Sequence, residues 1–230
     1  KVLGEFNLED IKKNRDFLLS KIDTTHKKSF FLNDKIPKLV AVSKKQEDYK
    51  IDKAIESGQK FFAENRVQEA YLRWQKRLET NNDLELRLIG PLQTNKVNIA
   101  LKLFDIIETL DREKLANEIA KNFNHNAKTK SFYIQINTGN ESQKSGLSPL
   151  QADSFIKYCE NDLKLPIVGL MCIPPINEES SMHFSLLKKI ASRNKLSELS
   201  MGMSADYEDA INFGATSVRI GSMFFGEREK

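Results

Sequence analysis

The chain has 230 residues, 40% of them hydrophobic, which is enough to bury one large core or two small ones. Its 36 basic and 32 acidic residues give a formal net charge of +4 and are interspersed, so they describe a solvated surface and exclude the basic block of a nucleic-acid-binding arm. Cys159 and Cys172, the only cysteines, are too few for a disulfide framework and wrongly spaced for metal ligands, and the longest apolar run, 165–176, is interrupted by Pro166, Pro174 and Pro175, which excludes a membrane span.

Residues 6–28 place Phe6, Leu8, Ile11, Leu18, Leu19 and Ile22 among many charges, which predicts an extra helix ahead of the main pattern. From Lys38 strands and helices alternate. KLVAVSK (38–44) reads as a β-branched strand, and 47–57 as a charged helix closed by Gly58. KFFAEN (60–65) is a second strand, followed by a helix over 66–79 with Val67, Ala70, Tyr71, Trp74 and Leu78 on one face. LRLIG (86–90), FDIIETL (104–110) and SFYIQINT (131–138) are the next strands, separated by helices at 95–103 and 112–123. A loop, GNESQKSG (139–146), leads to a helix over 149–160 that opens on a proline. PIVGLMCI (166–173) is the sixth strand, and the helix after it, 178–195, turns Phe184, Leu187 and Ile190 inward. ELS (198–200), a helix over 207–213 and TSVRI (216–220) complete the series. Eight strands alternating with helices predict an α/β protein, a single (β/α)8 TIM barrel over about 38–226 with an extra N-terminal helix. A doubly wound open sheet is the alternative, but no GxGxxG turn follows the first strand. No linker or low-complexity tract divides the chain, so residues 1–230 are expected to form one domain.

The stretch 199–226, LSMGMSADYEDAINFGATSVRIGSMFFG, holds two turns of the kind that bind phosphate. SMGMS (200–204) leads into a helix start at Ser204, followed by Asp206, Glu208 and Asp209, where backbone N–H groups would face an anion. RIGS (219–222) ends the eighth strand with Gly221 and Ser222, and loops after strands seven and eight form a recurrent phosphate site in such barrels. At the other strand ends stand Lys44, Asn65, IGPLQTNK (89–96), Asn137 and 171–175. Desolvation of Lys44 at a barrel mouth would lower its pKa and make it an imine-forming nucleophile. Taken alone, Lys44 beside Lys45 is more simply a surface lysine, and the others are ordinary turn or cap residues.

Together these motifs carry a family resemblance. AVSK (41–44), FAENRVQE (62–69), IGPLQTNK, KSG (144–146), GLMCIPP (169–175), LSMGMSADYEDAI and VRIGSMFFGER resemble, in the same order, the pyridoxal-phosphate homeostasis protein family. The resemblance spans 38–228 and implies a fold-type III barrel related to the N-terminal domain of alanine racemase. It implies that Lys44 forms the internal aldimine with pyridoxal 5'-phosphate, that Asn65 lies beside the cofactor, that Ser204, Gly221 and Ser222 bind its phosphate, and that Arg219 faces the pyridine nitrogen. Met171 and Met203 are expected to line the ring pocket, with simple core packing the equal alternative. Ala63 stands where the family usually has glycine, Arg87 where a histidine commonly precedes IG, and the usual proline after Lys44 is missing.

The function implied is a binder of pyridoxal phosphate acting in vitamin B6 homeostasis, with PLP-dependent apo-enzymes as possible recipients of the cofactor. Neither nucleic acid nor membrane is expected as a partner, no metal is expected, and a monomer is expected rather than a dimer. The two-cysteine composition and the lack of a basic-then-apolar leader point to the cytoplasm, and the absence of an initial Met to a natural start upstream of Lys1. Two other readings are an amino-acid racemase and a sugar-phosphate barrel with Lys44 as an aldolase-type amine. Racemisation needs an acid or base on both faces of the ligand. In alanine racemase, the resemblance implies, a tyrosine of a C-terminal β-domain provides the second. Here the chain ends ten residues after the eighth strand, its five tyrosines fall in barrel segments, and Tyr207 reads as a packing residue, so no enzyme-like turnover is expected.

Overall fold

The computed structural model describes residues 8–30 and 34–226. Phe6 of the leading helix and Glu227 and Arg228 of the last motif lie outside them. Helix α1 spans Leu8–Lys28, and the chain then runs β1 (Lys38–Val42), α2 (Asp48–Glu56), β2 (Phe61–Glu64), α3 (Val67–Thr80), β3 (Glu85–Leu88), α4 (Val97–Leu103), β4 (Ile106–Leu110) and α5 (Glu113–Asn122). It continues through β5 (Ser131–Gln135), α6 (Ala152–Lys157), β6 (Ile167–Met171), α7 (Ser180–Arg193), β7 (Glu198–Ser200), α8 (Tyr207–Asn212), β8 (Ser217–Ile220) and a last short helix, α9 (Ser222–Phe225).

The strands form a closed parallel barrel in sequence order, β1 meeting β8 through Lys38↔Ser217 and Val40↔Arg219. Closure excludes the open-sheet alternative, because the first and last strands satisfy each other's backbone groups and leave no edge. Strands covered on both faces read as continuous apolar runs, which is why KLVAV and IVGLM lack polar alternation. Register shifts within the β4–β5 and β5–β6 pairings take up the local curvature.

Each helix buries one stripe against the sheet. On α3 that stripe is Val67, Ala70 and Trp74, while Tyr71, expected to face inward, is 41% exposed. The neighbouring α4 has only 7 residues and leaves open a groove of about 740 Å³ in which Tyr71, Leu78 and Ile99 form part of the wall. The helix expected over 149–160 is composite: a 3-10 turn at Pro149–Gln151, then α6, then a wider π-type turn at Tyr158–Asp162.

Helix α1 lies outside the repeat and packs on α2, α8 and α9. Ile11, Leu18 and Ile22 are fully buried there, each contributing about 1.5–3 kcal/mol by leaving water. Polar bonds fix its position. The Arg15 guanidinium donates to Gln59 Oε1 at 3.1 Å and to the carbonyls of Ser57 and Gly58 at 3.2 and 3.1 Å, closing the end of α2. Asn14 Nδ2 donates to the Phe224 carbonyl at 3.1 Å, tying α1 to α9.

Candidate functional site

The residues singled out in the sequence gather at the C-terminal end of the barrel. Ser43 Oγ donates to Glu64 Oε1 at 2.7 Å on the helix-facing side, where Arg73 and Trp74 also donate to that oxygen at 2.9 and 3.0 Å. The next residue, Lys44, lies in the turn after β1 and is half-buried. It shares a cavity of about 480 Å³ with Asn65, Arg66, Gln93 and Lys96, among others. Asn65 Oδ1 is buried without a hydrogen-bond partner among the described residues. The loop after β3 is pressed onto Asn65 at Gly90, where a Cβ would come within 1.9 Å of the Asn65 carbonyl oxygen, so that only glycine fits.

The two serine-bearing turns lie side by side, as the sequence predicts for loops of neighbouring strands: Ser222 Oγ donates to Ser204 Oγ at 3.4 Å. Gly202 makes the first turn possible, since its φ of +98° is costly for any residue with a Cβ and a Cβ there would meet Ala210 at 2.6 Å. One expectation is corrected. Ser204 does not start the following helix, because Asp206 takes the N-cap place, accepting the Met203 N–H at 2.8 Å, and α8 begins at Tyr207. Its first turn carries Glu208 and Asp209, whose charges oppose an anion at that end. The amides beside the serine pair come instead from α9, a helix that the sequence reading left out. Its first N–H groups have no intrahelical acceptor, and Gly221 is its N-cap. Gly-Ser followed by the two buried residues Phe224 and Phe225 was the available signal.

Below the mouth runs a column of buried polar groups. Arg219, 2% exposed, donates through one guanidinium nitrogen to Ser200 Oγ at 2.8 Å and through the other to the Cys172 carbonyl at 2.9 Å. Ser200 Oγ donates in turn to Glu108 Oε2 at 2.6 Å, and Glu108 Oε1 accepts from Arg87 at 3.0 Å. Arg87 also reaches Glu85 at 2.8 Å and Ser217 Oγ at 3.3 Å, and stacks over the Tyr133 ring at 5.8 Å. Burial works against the Arg87 charge, but Glu108, Tyr133 and Glu85 outweigh it and hold its pKa above the ordinary value. Burial raises the Tyr133 phenol against the opposing pull of Arg87, and burial pushes the Cys172 thiol up to about 12 despite Arg219. Glu108 and Tyr133 belong to no motif in the sequence, and Ser200 stands there only as the first residue of SMGMS.

Met171 is fully buried yet lies outside the contiguous hydrophobic core; it pairs in register with Gln135 and Ser200 and so shares the inward face of the barrel. Met203 is 40% exposed, which removes core packing as its role. Tyr207 does belong to the core, as expected.

The family model for the alanine racemase N-terminal domain matches residues 31–229. The pyridoxal phosphate homeostasis protein of Pasteurella multocida is 38% identical over 202 residues, covering 84% of this chain and 87% of that one. The chain belongs to the pyridoxal phosphate homeostasis protein family. Among solved structures, PipY of Synechococcus elongatus PCC7942 without PLP is similar at a TM-score of 0.82 and 29% identity, covering 94% of this chain and all (100%) of PipY. The same protein with PLP bound is similar at 0.77 and 28%. Alanine racemase from Corynebacterium glutamicum, at 15% identity and a TM-score of 0.67, shares the fold, with 62% of its chain covered.

Two of the three departures from the family pattern, Ala63 and Arg87, have structural accounts, and the missing proline after Lys44 has none. Ala63 pairs in register with Val42 and Arg87 and is fully buried, so its methyl is accommodated within a regular strand. Arg87 faces the polar column, where Glu85 and Glu108 balance its charge. Among the described residues no helix is long and apolar enough to cross a membrane, and no grouping of three His, Cys, Asp or Glu could hold a metal ion.

Proposed function

We propose that this protein binds pyridoxal 5'-phosphate as part of vitamin B6 homeostasis, holding it on Lys44 without enzyme-like turnover. The observation that carries this reading is the convergence on one barrel end of a cavity-lining lysine after β1 and two adjoining serine turns after β7 and β8. The donor set fits the ligand. Hydroxyls of Ser204 and Ser222, with the first amides of α9 beyond Gly221, suit a phosphate, and Asn65 stands beside Lys44 on the wall of one cavity. When bound, the cofactor supplies an aldehyde that a neutral lysine amine can capture. Arg219, fixed by Ser200 and the Cys172 carbonyl, is the group assigned to the pyridine nitrogen. A guanidinium stays charged and only donates, so it would keep a proton off that nitrogen and weaken the ring as an electron sink. Met171 and Met203 are assigned to the wall of the ring pocket.

The placement of Tyr207 in the core and of Tyr133 beside Arg87 in the column supports this reading, since neither stands ready as a second catalytic base. The relatives' name and the PLP-bound PipY support the same reading. We assign residues 1–230 to one domain, acting as a monomer in the cytoplasm and passing cofactor to apo-enzymes. Two buried, unpaired cysteines agree with a reducing compartment.

The test is direct. Purified protein should be yellow, borohydride should fix the ligand on Lys44, and Lys44→Ala should lose the visible band. Fixation on Lys96 or Lys144 instead would refute the assignment. Replacing Ser204 and Ser222 together by Ala should weaken cofactor affinity by about 1–3 kcal/mol in a titration, and pyridoxal should bind far more weakly than its phosphate. Incubation of the loaded protein with L-alanine should give no sustained formation of D-alanine near the enzyme range of about 1 per second.

A further inference from the structure

Strand order places Lys44, after β1, between two unlike neighbourhoods. On one side are the serine turns after β7 and β8. On the other, after β2 and β3, is the cavity of about 480 Å³ that Lys44 shares with Arg66 and Lys96. Its wall carries these three cations and no carboxylate. Neither Lys44 nor Lys96 is in an ion pair among the described residues, and Arg66 reaches only Glu69 at 3.3 Å, an exposed pair that neutralises little. Like charges around one cavity repel each other, a cost that a bound anion removes. The same wall holds Asn65, whose buried Oδ1 awaits a donor. Cations and an unpaired acceptor together match a molecule that carries both a carboxylate and an N–H group.

We propose that this cavity is a subsite for a free α-amino acid, its carboxylate held by Lys96 and Arg66 and its ammonium nitrogen directed toward Asn65 Oδ1. A phosphate is the other oxyanion that these cations could hold, but the serine turns across the mouth already suit phosphate, and competition between the two ligands separates them. The subsite rests on the proposed function only for what Lys44 carries. With it, the amino acid supply would be sensed directly beside the held cofactor.

Two measurements test this. In the first, the protein as purified is added to alanine labelled with 13C at the carboxyl, and broadening of that signal is followed. Broadening is expected, weakened at least about fivefold in Lys96→Ala and to a lesser degree in Arg66→Ala, with inorganic phosphate competing no better than acetate. In the second, the visible spectrum of cofactor-loaded protein is titrated with L-alanine and with L-alaninamide, which has the same skeleton without the carboxylate. The half-effect concentration should be about tenfold lower for alanine, and the ratio should fall toward one in Lys96→Ala, a half-exposed position whose change leaves the fold intact. Equal responses to alanine and alaninamide in the wild type, or phosphate competing at lower concentration than the amino acid, would overturn the proposal. Broadening that depends on Lys96 in protein with no visible band would support the subsite while refuting the cofactor reading.

Discussion

Both carboxylate oxygens of Glu108 are engaged, one by Arg87 and the other by Ser200, which in turn holds Arg219. Removing one partner of such a group leaves its neighbours charged and uncompensated inside the barrel, which costs far more than the intact contact is worth. Glu108→Gln is therefore expected to destabilise the protein by about 3–5 kcal/mol in urea unfolding. The double change of Arg87→Met with Glu108→Leu should cost less than the two single changes added together, a coupling that a double-mutant cycle would measure. Independent costs that simply add would show that the column is not a unit. Because Arg219 is steered through Ser200, Ser200→Ala should also shift the pH at which the bound cofactor's spectrum changes, whereas a purely structural role for Ser200 would leave that pH unmoved.

Among the elements, α1 and α9 form a pair. Helix α9 contributes amides beside the two serines, and α1 covers it with a buried stripe and the bond from Asn14 to the Phe224 carbonyl. Leu18→Ala removes a fully buried side chain and should cost about 2–5 kcal/mol by thermal or urea unfolding. Asn14→Ala should cost only about 1 kcal/mol in stability. It should nevertheless weaken phosphate-bearing ligands relative to pyridoxal, since it loosens α9 while leaving Lys44 alone. A uniform loss of affinity for both ligands in Asn14→Ala would argue against this role for α1.

For the molecule as a whole, burial of both thiols sets an alkaline limit. Cys159 and Cys172 are pushed by burial from an ordinary value of 9.0 to about 12. Between those values the unfolded chain releases protons that the folded chain keeps. The unfolded state therefore binds fewer protons, and stability falls as pH rises. The stabilising effect of the buried, neutral thiols is fully present below about pH 9, and its loss approaches 1.4 kcal/mol per pH unit for each thiol above that. Urea midpoints should be flat with pH below about 9 as far as these groups are concerned and should decline above it. Cys159→Ala should reduce the decline. Unchanged slopes in that variant would mean that other groups control the alkaline transition.

Length, strand–helix order and the boundaries of most elements were determined by the sequence by itself, because apolar period, glycines and prolines act over a few residues. The same local signals placed Lys44, Asn65 and the serine turns at strand ends, while the roles of Lys44, Asn65 and Arg219 came from the family resemblance. Several features depended on tertiary structure. Whether Tyr71 is covered depends on the length of α4, a neighbour that its own helix does not encode. The N-cap of α8 went to Asp206 over Ser204 because a carboxylate three residues on could close the turn at Met203. The polar column joins Glu108 to Ser200, 92 residues away, and Arg87 to Ser217, 130 away. No periodicity reaches across such separations. Barrel closure alone brings those groups together, away from water, where each must find its partner.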